Sequence, residues 1–546
     1  MLTSAGGETL AVVNSEVALP GADATAERPS LRLVTDAATR RVAYALGAII
    51  TLGVVVRFGS LGIQSYHHDE VITAMRVIPG SFGEMLHKLK VSESNPPLYY
   101  VLAWGWAKVF GLEEVGLRSL SALFGAATVP VGYLIGRQLN GRRCGLILAG
   151  FVALNPMLIW YSQEARSYAL LVFFAALSLL FFLRALESRG SGRDLALWAI
   201  FSALALCSHY FAVFPIAIEG AWLLLALKGR RQAVLAAGAA VAGTMLALLP
   251  LLLAQINPRH IGWIAEGSVW TRLGEAGIGF LAGETGHVIA EPPRPGYAVV
   301  PAIAVGAAIA MLVWRGDQRQ RRGAVIALVV GFGVIALALL AAAAGKDYVI
   351  ARNLLPALVP LAAVVALGFS AAPRRLSLLL AGGLCAYWLA FAVYVTQTPS
   401  LQRPDFRVVG QDLGRAQARR AIVSWRLAAD PIRWYLPGKA VQTFSGLTAL
   451  REVDIVSKPR AAGAAANLLP SFRAVERVRI GRLTLTRYRA PHLVNLSVKE
   501  LKRLPTGFAA NGVVLDRPPP SRGLRMAVAS NQVAPRIGIS QNQVAR

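Results

Sequence analysis

The amino-acid sequence predicts an all-α polytopic membrane protein of about 11 or 12 transmembrane helices, followed by a small extracytoplasmic α/β domain. Three observations carry this prediction. The 546-residue chain is 55% hydrophobic and only 16% charged, with a mean hydropathy of +0.51, too apolar for a soluble globule of this length. Apolar runs of roughly 17 to 25 residues, each able to cross ~30 Å of hydrocarbon as a helix, recur from about residue 42 to about residue 396. Beyond residue 397 Arg and Asp rise, and short strand-like runs replace the long apolar ones.

Residues 1–38 contain scattered Glu, Asp, Ser, Thr and Gly, with neither a basic start nor an apolar signal core. This predicts a disordered cytoplasmic tail. The membrane domain follows, over residues 39–396. Arg40-Arg41 stands before the first apolar run, so the positive-inside rule puts the N-terminus in the cytoplasm and sends "SYHHDE" (65–70) outside. Arg142-Arg143, the Arg184 to Arg193 cluster, Lys228 with Arg230-Arg231, the Arg315 to Arg322 cluster and Arg374-Arg375 are then cytoplasmic. The connections 160–167, 207–211, 256–296 and 345–353 are external. Parity fails at one place: between residues 61 and 141 an odd number of crossings is needed, yet two apolar runs are present, about 97–111 and 117–138.

Residues 397–490 read as the extracytoplasmic α/β domain, with strands expected at 421–425, 440–444, 452–457 and 482–488, and residues 491–546 as a flexible tail. The net charge of +27 is explained by the clusters that orient the helices; no basic stripe with interleaved aromatics is present, so nucleic acid is not an expected partner. Cys144, Cys207 and Cys385 are too dispersed for a disulfide framework or a CxxC metal site.

With this topology the ionisable residues at helix ends gather on the outer side: His67-His68-Asp69-Glu70, Glu164, Arg166, His209-Tyr210, His260, Lys346-Asp347 and Arg352. A charge in the bilayer costs about 2.5–3.5 kcal/mol on insertion scales, so a one-sided accumulation predicts a shared external cavity. Each residue also has a plainer reading. Asp69 and Glu70 point to different sides of a helical start, so one can face the cavity while the other caps a helix or pairs with a base. Arg166 and Arg352 serve equally as interfacial anchors, and His209 as a packing residue. His67-His68-Asp69 has the right ligand chemistry for a divalent metal, but neighbouring residues seldom bind one ion together, so no metal or other cofactor is indicated. The double proline of "NPPLYY" (95–100) suits a first helical turn. Arg118 opens the next run and joins Arg166 and Arg352 as candidates for binding phosphate through the guanidinium fork.

The series "HHDEVITAMR", "NPPLYYVLAWGWAKVFG", "LRSLSALFGAATVPVGYLIGRQL", "NPMLIWYSQEARSYALL", "LCSHYFAVFPIAIEGAWLLL" and "YVIARNLLPALVPLAA" resembles, in matching order, the GT-C superfamily of membrane glycosyltransferases. The branch it resembles contains protein O-mannosyltransferases and the aminoarabinose transferase of lipid A. The resemblance implies a polyprenyl-monophosphate sugar donor and a glycan, lipid or protein hydroxyl acceptor, with membrane lipids around the chain. It implies Asp69 as general base with Glu70 positioning it, and Arg118, Arg166 and Arg352 on the donor phosphate. His67, His68, Asn95, Glu164, Tyr168, His209 and Tyr210 are expected to line the substrate cavity. Asn95 stands where branch members often have His or Lys, and His67-His68 where an aromatic or aliphatic residue is common. The competing class is a transporter or lipid flippase, but no internal duplication is seen and the polar residues lie at the outer edge rather than at the midplane.

Overall fold

The computed structural model describes residues 37–256, 264, 267–285, 295–437, 441–442 and 447–517. His260, parts of the 256–296 connection and most of the expected strand at 440–444 lie outside the described residues, as do residues 1–36 and 518–546.

Among the described residues eight helices are long and apolar enough to span a membrane. The longest, α5 (Glu114–Leu154), is two helices: Asn140 and Gly141 leave helical geometry, Gly141 at φ +78°, a value glycine adopts without strain. The two halves fold back closely, because a Cβ on Gly136 would stand 2.7 Å from the Cys144 carbonyl oxygen. The others of the eight are α1 (Ala37–Phe58), α7 (Tyr168–Glu187), α10 (Arg231–Gln255), α12 (Val299–Arg315), α13 (Gln318–Ala343), α14 (Leu358–Ala371) and α15 (Arg374–Gln397). Two shorter helical segments, α8 (Gly192–Ser208) and the apolar Tyr210–Ala226 stretch that contains α9 (Val213–Ala226), lie between α7 and α10 in the chain.

The parity problem is resolved by α4 (Leu98–Phe110). Its 13 residues rise only about 20 Å, short of the hydrocarbon thickness, and Gly111 at φ +79° ends it. It is a short helix following α2 (His68–Ile72), the π-turn Thr73–Val77 and α3 (Phe82–Ser92), so only the first half of α5 crosses between residues 61 and 141. Helix α11 (Val269–Ala282) is likewise too short to span.

Arg57, buried at the end of α1, binds this layer together. It donates to the carbonyls of Ala153 (2.7 Å) and Val152 (2.8 Å) and to Ser162 Oγ (3.1 Å). Those carbonyls belong to the last turn of α5, where intrahelical donors run out and Pro156, which has no N–H, opens α6 (Pro156–Ser162).

The C-terminal domain holds a six-stranded sheet in the order β2-β6-β1-β3-β5-β4. Here β1 is Arg420–Trp425, β2 Val441–Gln442, β3 Leu447–Ser457, β4 Arg473–Ile480, β5 Leu483–Ser497 and β6 Asn511–Asp516. Strand β1 runs parallel to β3 and antiparallel to β6. Side chains alternate between the faces: Ile422, Val456, Leu485 and Val514 pack with α16 (Phe406–Leu413) and α17 (Ala429–Tyr435), while Ala421, Val423, Ile455 and Tyr488 pack with α18 (Val498–Lys502). The expected boundary at 490 is wrong: β5 runs to Ser497 and β6, in the expected tail, sits inside the sheet beside β1. A six-residue run, "NGVVLD", carries too little pattern to stand out by itself.

Candidate functional site

The connections after α1, α6, α8 and α13, together with the segment after α15, meet at one end of the bundle. The loop after α1 brings Asp69 and Glu70 on the first turn of α2. Glu70 is fully buried, and six hydrogen-bond donors surround it. Arg118 reaches both oxygens at 2.7 Å, the Ala165 N–H donates at 2.9 Å, Arg403 at 3.3 Å, and His67 approaches with Nδ1 at 3.0 Å and its backbone N–H at 3.3 Å. Burial pushes this carboxyl up, but Arg118 and the other donors outweigh it and hold it well below the usual range.

Arg118 is therefore not a phosphate ligand, contrary to expectation. Its Nε and Nη2 serve Glu70, and its remaining hydrogens go to the carbonyls of Leu61 (2.8 Å), Gln64 (2.6 Å) and Ser65 (3.1 Å). All five donors of the guanidinium are used.

Asp69 is different. Its side chain is 26% exposed, and Oδ2 is 3.0 Å from Arg352 Nη1, which is 25% exposed. Burial raises its carboxyl, yet Arg352 and then His67 overcome this and hold it well below the usual range. Arg166 lies beneath, donating from Nη1 to Glu93 (2.8 Å), Thr73 Oγ1 (3.1 Å) and the Asp69 carbonyl (3.3 Å). Its Nε is buried without a hydrogen-bond partner among the described residues. Burial pushes the Glu93 carboxyl up in spite of Arg166. Tyr168 packs 6.0 Å from the Arg352 guanidinium and 5.6 Å from the His209 ring. Burial, with Arg166 and Arg352 nearby, pushes His209 down to about 3, so it is a neutral ring whose Nδ1 accepts from the Phe211 N–H.

The two histidines part company. His67 turns into the site between Asp69, Glu70 and Glu164. His68 turns away, toward Asp430 of the C-terminal domain at 3.8 Å, where Arg76 also lands at 2.5 Å. It belongs to a domain contact rather than to the substrate cavity expected for it. Gln255 links Tyr210 to the backbone of Asn95. The amide donates to the Asn95 carbonyl at 3.0 Å, and Tyr210 donates to the amide oxygen at 2.8 Å.

Arg403 was missed by sequence reasoning. It follows the last crossing, donates to Glu164 at 2.6 Å and to Glu70 at 3.3 Å, and lies 4.5 Å from the centre of the Trp160 ring. The chain around it is tied to the loop after α1: the Arg403 N–H donates to Gln64 Oε1 (3.0 Å), Ser65 Oγ to the Pro404 carbonyl (3.1 Å), and the Phe406 N–H to Ser65 Oγ (2.9 Å). Tyr435 accepts from the Tyr66 N–H at 2.7 Å and donates to Glu114 at 2.5 Å. The only sequence signal was a lone arginine before a proline.

The site can hold an anion beside Arg352 and Arg166 and present an ionised carboxylate to a neighbouring hydroxyl. A family model described as dolichyl-phosphate-mannose-protein mannosyltransferase matches residues 94–254, which include Arg118, Glu164, Arg166 and His209 but not Asp69 or Glu70. A protein of Aquifex aeolicus (strain VF5) is 27% identical over 118 residues, 21% of this chain and 23% of that protein. The chain thus spans less than a quarter of that relative's length. Two crystal structures of ArnT from Cupriavidus metallidurans, one in the apo state and one bound to undecaprenyl phosphate, share the fold. Their TM-scores are 0.54 and 0.52 at 13% and 14% identity, over 83% of this chain and 98% of theirs. In fold, then, the chain is similar to ArnT.

Proposed function

We propose that the protein transfers a sugar from a polyprenyl-monophosphate donor to a hydroxyl acceptor on the outer side of the membrane, with inversion at the anomeric carbon. The observation that carries this reading is the Asp69–Arg352 pair. It sets a partly exposed carboxylate and a partly exposed guanidinium 3.0 Å apart, at the end of the bundle where five connections meet. The matching family model and the undecaprenyl phosphate bound by ArnT support a lipid-phosphate donor.

In this reading Asp69 takes the proton from the acceptor hydroxyl as its oxygen attacks the anomeric carbon, and the bond to the phosphate breaks on the opposite face. Arg352 and Arg166 bind the phosphate and stabilise the charge it gathers on leaving. Glu70 does no chemistry. Its bonds to Arg118, Ala165 and His67 fix the turn that presents Asp69. Tyr168 and His209 wall the cavity on the Arg352 side, and Glu164 closes it beneath His67. The N-terminus is cytoplasmic and the C-terminal domain external, as the basic clusters between helices require. The acceptor remains a hydroxyl of a glycan, lipid or protein.

The test is turnover with radiolabelled polyprenyl-phosphate sugars in membranes carrying the protein. Transfer that depends on Asp69 supports the reading; lipid movement across the bilayer without sugar transfer would replace it with the flippase alternative.

A further inference from the structure

The clusters that orient the helices do not account for all of the positive charge. Residues 399–517 hold 21 Lys and Arg against 8 Asp and Glu, a surplus of 13 and nearly half of the +27 of the whole chain. Folding concentrates it further. Among the described residues of this domain fifteen cations are exposed but only two acids, Glu476 and Glu500. Both acids are engaged, Glu476 with Arg487 at 2.6 Å and Glu500 with the Ser497 N–H and Oγ at 2.7 Å. Glu452, Asp454 and Asp516 are buried in the sheet against Arg420, Arg487 and Arg489.

The register of the sheet decides where the cations stand. Helices α16 and α17 cover one face and touch the end of the bundle, through Arg407 to Glu114 (2.7 Å), Asp430 to Arg76 (2.5 Å) and Trp434 against Tyr66. The far face, that of Tyr488 and α18, is turned away from the bundle. On the edge strand β4, Arg477 stands opposite Thr486 and Arg479 opposite Thr484. Both threonines share the Tyr488 side of β5, so both arginines lie on the far face. Gly463, at φ +94°, lets the 458–472 segment pass over Arg477, since a Cβ there would stand 2.5 Å from its Nη2. That segment adds the exposed Lys458 and Arg460, and the end of α18 adds Lys502 with Arg503 beside it.

Two plainer readings fall short. Basic residues on an edge strand deter edge-to-edge pairing, but a few charges of either sign do that, and these cations continue onto segments that are not strands. An anionic bilayer attracts cations too, but the face that carries these is the one away from the helices that enter the bilayer. Arg477 and Arg479 are about 7 Å apart along β4, within the ~8 Å Debye length of physiological salt, so the patch repels itself. A polymer with repeated anionic groups relieves that repulsion, and guanidinium forks fit carboxylate and phosphate alike.

We propose that the far face of the C-terminal domain docks an anionic glycan, a polymer of sugars bearing carboxylate or phosphate groups. The choice of a glycan over other polyanions rests on the transfer reading above, which places the domain outside and requires a hydroxyl-bearing acceptor; the docking of a polyanion does not.

The experiment uses the full-length protein in phosphatidylcholine nanodiscs and measures binding of polygalacturonate and of phosphorylated dextran, with plain dextran as the neutral control. Polyglutamate and phosphatidylglycerol vesicles are the competing partners. At least one charged glycan is expected to bind and dextran not, with affinity falling between about 50 and about 200 mM salt as the charges are screened. Arg477→Gln/Arg479→Gln is expected to weaken binding at least ~tenfold. Arg321→Gln/Arg322→Gln, which removes the same charge from exposed positions on α13, is expected to leave it unchanged. Thermal unfolding checks that both variants are folded. No binding of either charged glycan, equal affinity in the two double variants, or tighter binding of polyglutamate or of the vesicles overturns the proposal. A chain that docks the glycan and transfers no sugar refutes the transfer reading and leaves the surface standing.

Discussion

Arg118 meets Glu70 through two parallel hydrogen bonds of 2.7 Å, and both side chains are buried. Removing one member leaves the other as an uncompensated buried charge, a loss of about 3–5 kcal/mol. Glu70→Ala and Arg118→Ala are both expected to lower the unfolding temperature sharply in detergent, and the double variant to lose less than the sum. Arg118→Lys will not rescue, because an ammonium cannot reproduce a fork that satisfies five acceptors. A double-mutant cycle on thermal unfolding measures this.

Asp69→Asn keeps the shape of the side chain and removes its charge. Turnover is expected to fall by about 10²–10⁴-fold, the usual contribution of a general base, with membrane insertion unchanged. Near-normal turnover in a steady-state assay would remove Asp69 from the chemistry.

Arg352→Ala and Arg166→Ala should separate two roles. Arg352 is a quarter exposed, so its loss is expected to raise the dissociation constant for polyprenyl phosphate by about tenfold or more with little effect on folding. Arg166 is 6% exposed and paired with Glu93, so its removal weakens donor binding and stability together. Equilibrium binding of polyprenyl phosphate, set beside thermal unfolding, distinguishes the two. Unchanged donor affinity in both would sink the phosphate assignment.

Arg403 reaches back from the segment that leads into the C-terminal domain. A chain ending at residue 397 is therefore expected to lose transfer even to a small soluble acceptor, because Glu164 and Glu70 lose a cation from their buried cluster. Arg403→Lys should retain part of the activity and Arg403→Ala little. Full transfer by the truncated chain would restrict the domain to acceptor binding.

His209 provides the pH test. Buried and held near 3, it stays neutral in the folded protein, while in the unfolded chain it takes up a proton as pH falls through about 6.5. The unfolded state then binds more protons, so stability drops as pH is lowered from about 6.5 toward 3, at roughly 1 kcal/mol per unit for this group. His209→Gln should flatten that slope without shifting the pH profile of turnover between 6 and 8. Unfolding midpoints measured from pH 4 to 8 check it.

Much of the fold was legible because membrane crossing is written in one dimension. Run length and basic clusters predicted 11 or 12 helices, and the odd crossing needed before Arg142 left either one apolar run short of a crossing or Arg142-Arg143 outside the rule; eight helices among the described residues are long and apolar enough to span. That α4 was the run in question depended on its length, which its apolar composition concealed. Strands β1, β3 and β5 stood out as apolar runs. Strand β4 did not, because at the sheet edge "RAVERVRI" places most of its side chains in solvent. Strand β6 was too short and lay beyond the expected domain.

The sequence by itself determined that the chain spans the membrane repeatedly, and that its ionisable residues stand at the ends of the spans. Lipid tolerates only long internally bonded apolar helices, so composition and period suffice. Only the tertiary structure decided what each charge does. Glu70 and Arg118 are 48 residues apart, Asp69 and Arg352 are 283, and Glu70 and Arg403 are 333. Local pattern cannot choose among partners so distant. Burial and hydrogen-bond geometry did, leaving Arg118 to hold Glu70 and Arg352 to face Asp69.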